Sequence, residues 1–188
     1  MFLSLTLGAA SVDAAEVPPV PDTFTATTTA MTPSGVTLKI DVKEWSDEAA
    51  RQAAVAALGE SDVGAALKEV PTVGYVWRSG SAVGYSLKYA HRVTDERGER
   101  VTFVTDRLLG TYGLKPWAVD GSSAAGLQYS VIELYLGGNG AGTGNLSLAA
   151  DVALDASSGV ISLTPKPGTA PVLSNAKSEP KPYWVTDR

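Results

Sequence analysis

The stretch that most constrains the fold is Pro71 to Ala90, PTVGYVWRSGSAVGYSLKYA, which carries the triplet Val-Gly-Tyr twice, at Val73-Gly74-Tyr75 and Val83-Gly84-Tyr85. Apolar and aromatic residues alternating on both sides of a Ser-Gly pair form the pattern of a β-hairpin. With Ser79-Gly80 as a two-residue turn, Val76 faces Val83, Tyr75 faces Gly84 and Gly74 faces Tyr85. Each tyrosine ring then lies across the gap left by a glycine on the neighbouring strand. A slip of one residue would undo both pairings, so this register is expected, with a four-residue loop as the alternative. Parity puts Tyr75 and Trp77 on one face and Val76, Val83, Tyr85, Leu87 and Tyr89 on the other. Both faces are apolar. One belongs to the core, and the other needs a cover of helices, a ligand or another protein.

A chain of 188 residues is expected to form one domain with tails. At that size a domain buries roughly 70% of its unfolded surface, enough for a core without staples. There are no cysteines, which excludes disulfides, thiolate metal sites and cysteine nucleophiles. The balance of 15 basic to 20 acidic residues, net −5, gives no overall attraction for nucleic acid or an anionic membrane.

Residues 1–14, MFLSLTLGAASVDA, read as a signal peptide: apolar and small residues with Val12-x-Ala14 at the cleavage positions, too short to span a bilayer. Residues 15–33 are rich in proline and threonine and are expected as an extended arm, in which Thr23 to Thr29 suits an edge strand. Residues 34–165 form the domain, and 166–188, rich in proline, serine and lysine, an extended tail anchored by Tyr183-Trp184.

Within the domain, Val36, Leu38, Ile40 and Val42 alternate with Thr37, Lys39, Asp41 and Lys43, the signature of a half-buried strand. Ser46 is the expected N-cap of a helix running to Leu58 and ending at Gly59, with Ala50, Ala54, Val55 and Leu58 as its packing stripe. Ser61 is the expected cap of a second short helix with Val63, Ala66, Leu67 and Val70 on one face. Further strands are expected over 88–93, 100–106, 127–136, 146–154 and 160–164. The two helices are adjacent and the strands after Pro71 do not alternate with helices, which argues against a parallel sheet. The expected fold class is α+β: a largely antiparallel, curved sheet of about seven strands with two short helices packed on one face. A β-barrel-like closure is the alternative.

The runs PTVGYVW, SAVGYSLKYA and ERVTFVTDRLLG, together with VIELYL and GNLSLAADVALD, resemble a family of exported bacterial proteins of unassigned function, over roughly Trp45 to Leu163. The resemblance implies export and a single domain. It implies no catalytic or binding residue.

Signals for chemistry are sparse. His91 is the single histidine, with Arg92 beside it and Asp95 and Glu99 nearby, so a general base oriented by a carboxylate is one reading. Ser81 and Ser86 are near, but neither sits in a nucleophile-elbow motif. The glycine-rich run Gly137 to Gly144 lacks the phosphate-loop lysine and spacing and is expected as a hairpin loop. Asp106, Asp120, Glu133, Asp151 and Asp155 show no metal-ligand spacing. The aromatic residues Tyr75, Trp77, Tyr85, Tyr89, Tyr112 and Trp117 are the expected ligand or partner surface.

These features point to a non-enzymatic exported domain, periplasmic or extracellular, that binds or scaffolds another protein or itself, as in an accessory subunit of a larger assembly. No catalytic residue, metal, cofactor or nucleic acid is expected. A barrel-like carrier of a small apolar ligand is the alternative, and a hydrolase-type enzyme using His91 stands third.

Overall fold

The structure, a computed structural model, describes residues 22–96, 98–113, 117–119 and 126–179. The signal-peptide reading of residues 1–14 and the Tyr183-Trp184 anchor lie outside the described residues. Among the described residues there are ten strands and two helices. The first four elements are β1 (Asp22–Thr28), β2 (Thr37–Val42), α1 (Glu48–Leu58) and α2 (Val63–Glu69). Then come β3 (Gly74–Arg78), β4 (Gly84–Asp95), β5 (Gly98–Thr105), β6 (Val131–Leu136), β7 (Ala141–Leu146), β8 (Ala150–Asp155), β9 (Val160–Pro165) and β10 (Leu173–Glu179). Eight strands close into a barrel in the order β1-β10-β7-β6-β5-β4-β3-β2, with every neighbouring pair antiparallel.

The sheet is antiparallel and the two short helices pack on one side of it, as expected, but it closes into a barrel, the alternative read from the sequence, instead of remaining an open curved sheet. Closure depends on the two segments assigned to arm and tail. β1 pairs with β2 on one side and with β10 on the other, so residues near both ends supply the closing seam. In β1, Phe24, Ala26 and Thr28 point inward and Thr23, Thr25 and Thr27 outward. That alternation is too weak in apolar residues to mark a core strand, and a closed barrel needs no edge strand.

An eight-stranded barrel is just wide enough for side chains to fill it. Phe24, Leu38, Ile40, Leu87, Phe103, Ile132, Leu134 and Leu146 point inward and are buried to 1% exposure or less, so no water-sized void borders them. The Phe24 and Phe103 rings meet at 5.6 Å. Each such side chain contributes about 1.5–3 kcal/mol relative to exposure. One end is sealed by Trp45, whose ring meets Phe24 edge-on at 6.2 Å while Arg92 stacks on its face at 4.3 Å. Trp45 donates through Nε1 to Asp22, and Arg92 pairs with Asp22 and Glu99. The other end is sealed by Met31, Leu109, Trp117, Val119, Leu148 and Val172.

The central hairpin forms in a different register. Gly74 faces Leu87, Tyr75 faces Ser86, Val76 faces Tyr85 and Trp77 faces Gly84, so the connection is longer than a Ser-Gly turn. The glycine–aromatic pairing moves to Trp77 and Gly84: a Cβ on Gly84 would lie 2.7 Å from Trp77 Nε1. Gly74 answers to a different neighbour, since a Cβ there would collide with the Asp41 carbonyl of β2. The two-residue shift leaves Val83, expected opposite Val76 on the core face, outside β4 and exposed, but keeps the paired side chains on their expected faces until Lys88, where the ladder with β5 slips. That bulge turns Tyr89 outward, against the parity expected from sequence.

The outer wall of β4-β5-β6 is covered by α1, α2 and the β8–β9 hairpin. Ala54, Val55, Leu58, Leu67, Val70, Ile161 and Leu163 pack on Tyr89, Val104 and Val131. The helix stripes match those read from sequence except that Ala57 packs in place of Ala50, and the caps sit one residue later. Asp47 accepts from Ala50 N and Asp62 from Ala65 N. Ser46 instead accepts from the Ala90 N–H and holds the start of α1 against β4. The glycine-rich run divides evenly: Gly137 to Gly140 form the expected hairpin turn between β6 and β7, while Ala141 to Gly144 belong to strand β7 itself. Gly142 and Gly144 are required because a Cβ there would meet the Tyr135 and Glu133 carbonyls of β6. The strand expected over 146–154 breaks at 147–149, where the chain leaves the barrel to form β8 outside it.

Candidate functional site

The six aromatic residues expected as one surface separate into three places. Tyr85, Tyr112 and Trp117 gather at one end of the barrel, where the Tyr85 and Tyr112 rings meet at 5.0 Å. Tyr85 Oη accepts from the backbone N–H of Gly110 at 3.0 Å, and Trp117 lies on Gly110, so this group mainly clamps a loop. The cavity they line, with Arg78 and Ser81, is about 40 Å³, room for solvent rather than a ligand.

Tyr89 is fully buried under the β8–β9 hairpin. Its hydroxyl donates to Gly159 O and accepts from Ile161 N, both at 3.2 Å. It is a structural staple, placed there by the bulge at Lys88. Lys88 itself donates to Val70 O at 2.7 Å and to Thr72 Oγ1 at 3.1 Å, closing the end of α2. Burial holds its ammonium pKa below the usual lysine range, with the Asp106 and Glu69 carboxylates opposing that shift.

Tyr75 and Trp77 remain on the outer wall, half-buried, away from the helices. Their rings meet at 5.6 Å and 38°. Two rows of outward side chains cross this wall perpendicular to the strands. One runs Lys177, Thr25, Lys39, Trp77, Gly84, and the other Glu179, Thr23, Asp41, Tyr75, Ser86. Spanning five strands, each row is about 19 Å long. The Lys43 ammonium stands 4.6 Å from the Tyr75 ring, and Lys39 pairs with Asp41 at 3.2 Å. With threonine, lysine and aspartate at its centre, this wall has the polarity of a water-facing surface rather than of a lipid-facing belt. No helix among the described residues is long and apolar enough to cross a membrane.

His91 lies in a third row, His91–Thr102–Glu133, on the covered wall. Burial, and then the guanidinium charges of Arg51 and Arg100, hold its pKa below the usual histidine value. Glu99 is on the opposite face of the ribbon, paired with Arg92 inside the barrel end, and Asp95 is four residues on, about 13 Å along the strand. The carboxylate-oriented base suggested by the local sequence is therefore not assembled from these groups. Glu133 is fully buried and accepts from Thr102 Oγ1 at 3.2 Å, from Leu163 N at 3.1 Å and from the Tyr135 hydroxyl, tying β9 to the barrel. Burial and this carboxylate push the Tyr135 phenol pKa up.

A cleft of about 520 Å³ at the tip of the β4–β5 ribbon escaped the sequence reading. It is lined by Val93, Asp95, Glu99, Arg100, Tyr135 and Leu136 together with Gly98 and Gly137. The pairs Val93–Arg100 and Arg100–Tyr135 follow from strand register alone, but β6 has to be placed beside β5 before they adjoin. Among the described residues, no three acidic or histidine side chains come together as a metal site. No protein-family model, curated protein or solved structure matches the chain.

Proposed function

We propose that this protein is a non-enzymatic exported binding domain whose contact surface is the outer wall of β1, β2 and β3, centred on Tyr75 and Trp77. One observation carries the reading. The barrel interior is filled by its own side chains, while two aromatic rings lie half-buried on the wall that the helices leave open. Half-buried aromatics with lysines beside them fit a contact surface, since aromatic rings supply most of the energy per residue in binding patches. Export is supported by the apolar, small-residue N-terminal run. The filled interior argues against a carrier with an apolar ligand inside the barrel.

The test is sedimentation of the purified protein with fractions of its host's cell envelope. Wild-type protein is expected to co-sediment with one fraction, and a Tyr75→Ala/Trp77→Ala variant with unchanged circular dichroism is expected to stay in solution. Equal retention of both proteins would sink the reading. A small ligand in the 520 Å³ cleft is a second reading, favoured by a volume within the usual range for small-molecule sites. A mass of a few hundred daltons lost between native and denatured spectra of host-purified protein would support it.

A further inference from the structure

We propose that the occupant of the Tyr75–Trp77 wall is a carboxylated polysaccharide strand lying across the sheet; this rests on the binding reading above and names its partner. Shape narrows the choice first. A closed barrel offers no strand edge for an extended peptide to pair with, which removes the commonest way a sheet takes up a peptide. The wall is the outside of a barrel, so it has no groove for a helix. What it has is a flat ring. Gly84 lets the Trp77 indole lie down on β4, because any Cβ there would push it off. The neighbouring Tyr75 ring extends the apolar strip. A sugar ring presents a flat C–H face that stacks on such a strip and a rim of hydroxyls that needs donors and acceptors close by.

The rows supply that rim. Beside the rings stand Lys39, Asp41, Thr23 and Thr25 on β2 and β1, and Lys177 on β10 continues the Trp77 row. Charge then selects among glycans. The chain carries net −5, yet the wall holds three lysines, Lys39, Lys43 and Lys177, against two carboxylates, Asp41 and Glu179. Of these lysines, Lys39 alone forms an ion pair with a carboxylate among the described residues. The Lys43 ammonium stands over the Tyr75 ring and Lys177 continues the Trp77 row on β10, so two lysine charges not paired with a described carboxylate can meet carboxylates on the ligand. A densely charged polyanion such as nucleic acid meets the net negative protein around this narrow wall, whereas a uronate chain carries its charge beside apolar ring faces.

The experiment is affinity electrophoresis in native gels cast with polygalacturonate, dextran, poly-glutamate or single-stranded DNA. Polygalacturonate alone is expected to retard the wild-type protein, less so in high salt. Trp77→Ala is expected to weaken that retardation at least tenfold, and Lys39→Gln/Lys43→Gln, which touches only surface lysines, about three- to tenfold. Tyr112→Ser, at the barrel end, should leave it unchanged. Lack of retardation by polygalacturonate, or retardation that survives both wall variants, would overturn the proposal. So would Trp77-dependent retardation by dextran, poly-glutamate or DNA, which would identify a neutral glycan, an acidic peptide or a nucleic acid instead. If the envelope fraction still retains the protein through Trp77 while polygalacturonate does not, the partner is wrong and the binding reading stands. Loss of both removes the two together.

Discussion

Removing the hydroxyl of Tyr89 is a sharp test of how the outer layer is fixed to the barrel. The ring is fully buried, and its hydroxyl bridges Gly159 O and Ile161 N at 3.2 Å each, where β9 begins. Tyr89→Phe preserves the ring and its packing on the helix face but leaves a buried carbonyl and a buried N–H without their partner. Each orphaned group costs roughly 1–3 kcal/mol, so a loss of about 2–6 kcal/mol is expected. In a domain of this size that lowers Tm by about 4–24 °C. The loss should be local first, since the β8–β9 hairpin belongs to no other sheet. Urea unfolding gives the global value, and amide exchange in residues 150–165 reads the hairpin. A Tyr89→Phe protein within about 0.5 kcal/mol of wild type, the range of ordinary surface changes, with unchanged exchange in the hairpin would refute the staple. Lost envelope binding at unchanged stability would instead return Tyr89 to the contact surface that sequence alone suggests.

Lys88→Met keeps the stem but removes the ammonium that closes the end of α2 on Val70 O and Thr72 Oγ1; a loss of about 1–3 kcal/mol in urea unfolding is expected. Gly142→Ala places a methyl group on the Tyr135 carbonyl and must part β6 from β7, so a loss of more than about 3 kcal/mol or no soluble protein is expected, read from thermal melts. At alkaline pH the raised phenol pKa values of Tyr89, Tyr129 and Tyr135, each caused first by burial, mean that the folded state holds protons the unfolded chain releases. Stability is then fully present below pH 10.0 and lost as pH rises toward the folded values, which urea midpoints across that window will show. In acid, Asp155, held at about 2 by hydrogen bonds from Ser157 and Ser158, contributes stability that is present above the ordinary aspartate value of 3.8 and fades as pH falls through about 2. Asp155→Asn should flatten that part of the profile.

What could be read from residues alone was whatever short-range pattern determines. The alternation of Leu38, Ile40 and Val42, the stripe Ala54, Val55, Leu58, and the presence of a glycine–aromatic hairpin around Gly84 are local consequences of strand and helix periods. Those elements formed, and their apolar faces are the buried ones. Tyr75 and Trp77 sharing a face follows from strand parity in the same way.

What only the tertiary structure decided depends on neighbours distant in the chain. Closure of the barrel rests on β1 meeting β10, separated by most of the sequence, through strands whose outward residues are polar, among them threonine, serine, lysine and glutamate. The hairpin register was decided by β2, which lies against Gly74, and by the Lys88 bulge, which moved Tyr89 from one face to the other. The glycines of β7 looked like a loop because their requirement, the close carbonyls of β6, belongs to another strand. Side-chain period is a property of one strand. Which wall is covered and which is left open is a property of the assembled barrel, because it depends on where helices and hairpins with their own apolar faces find room to pack.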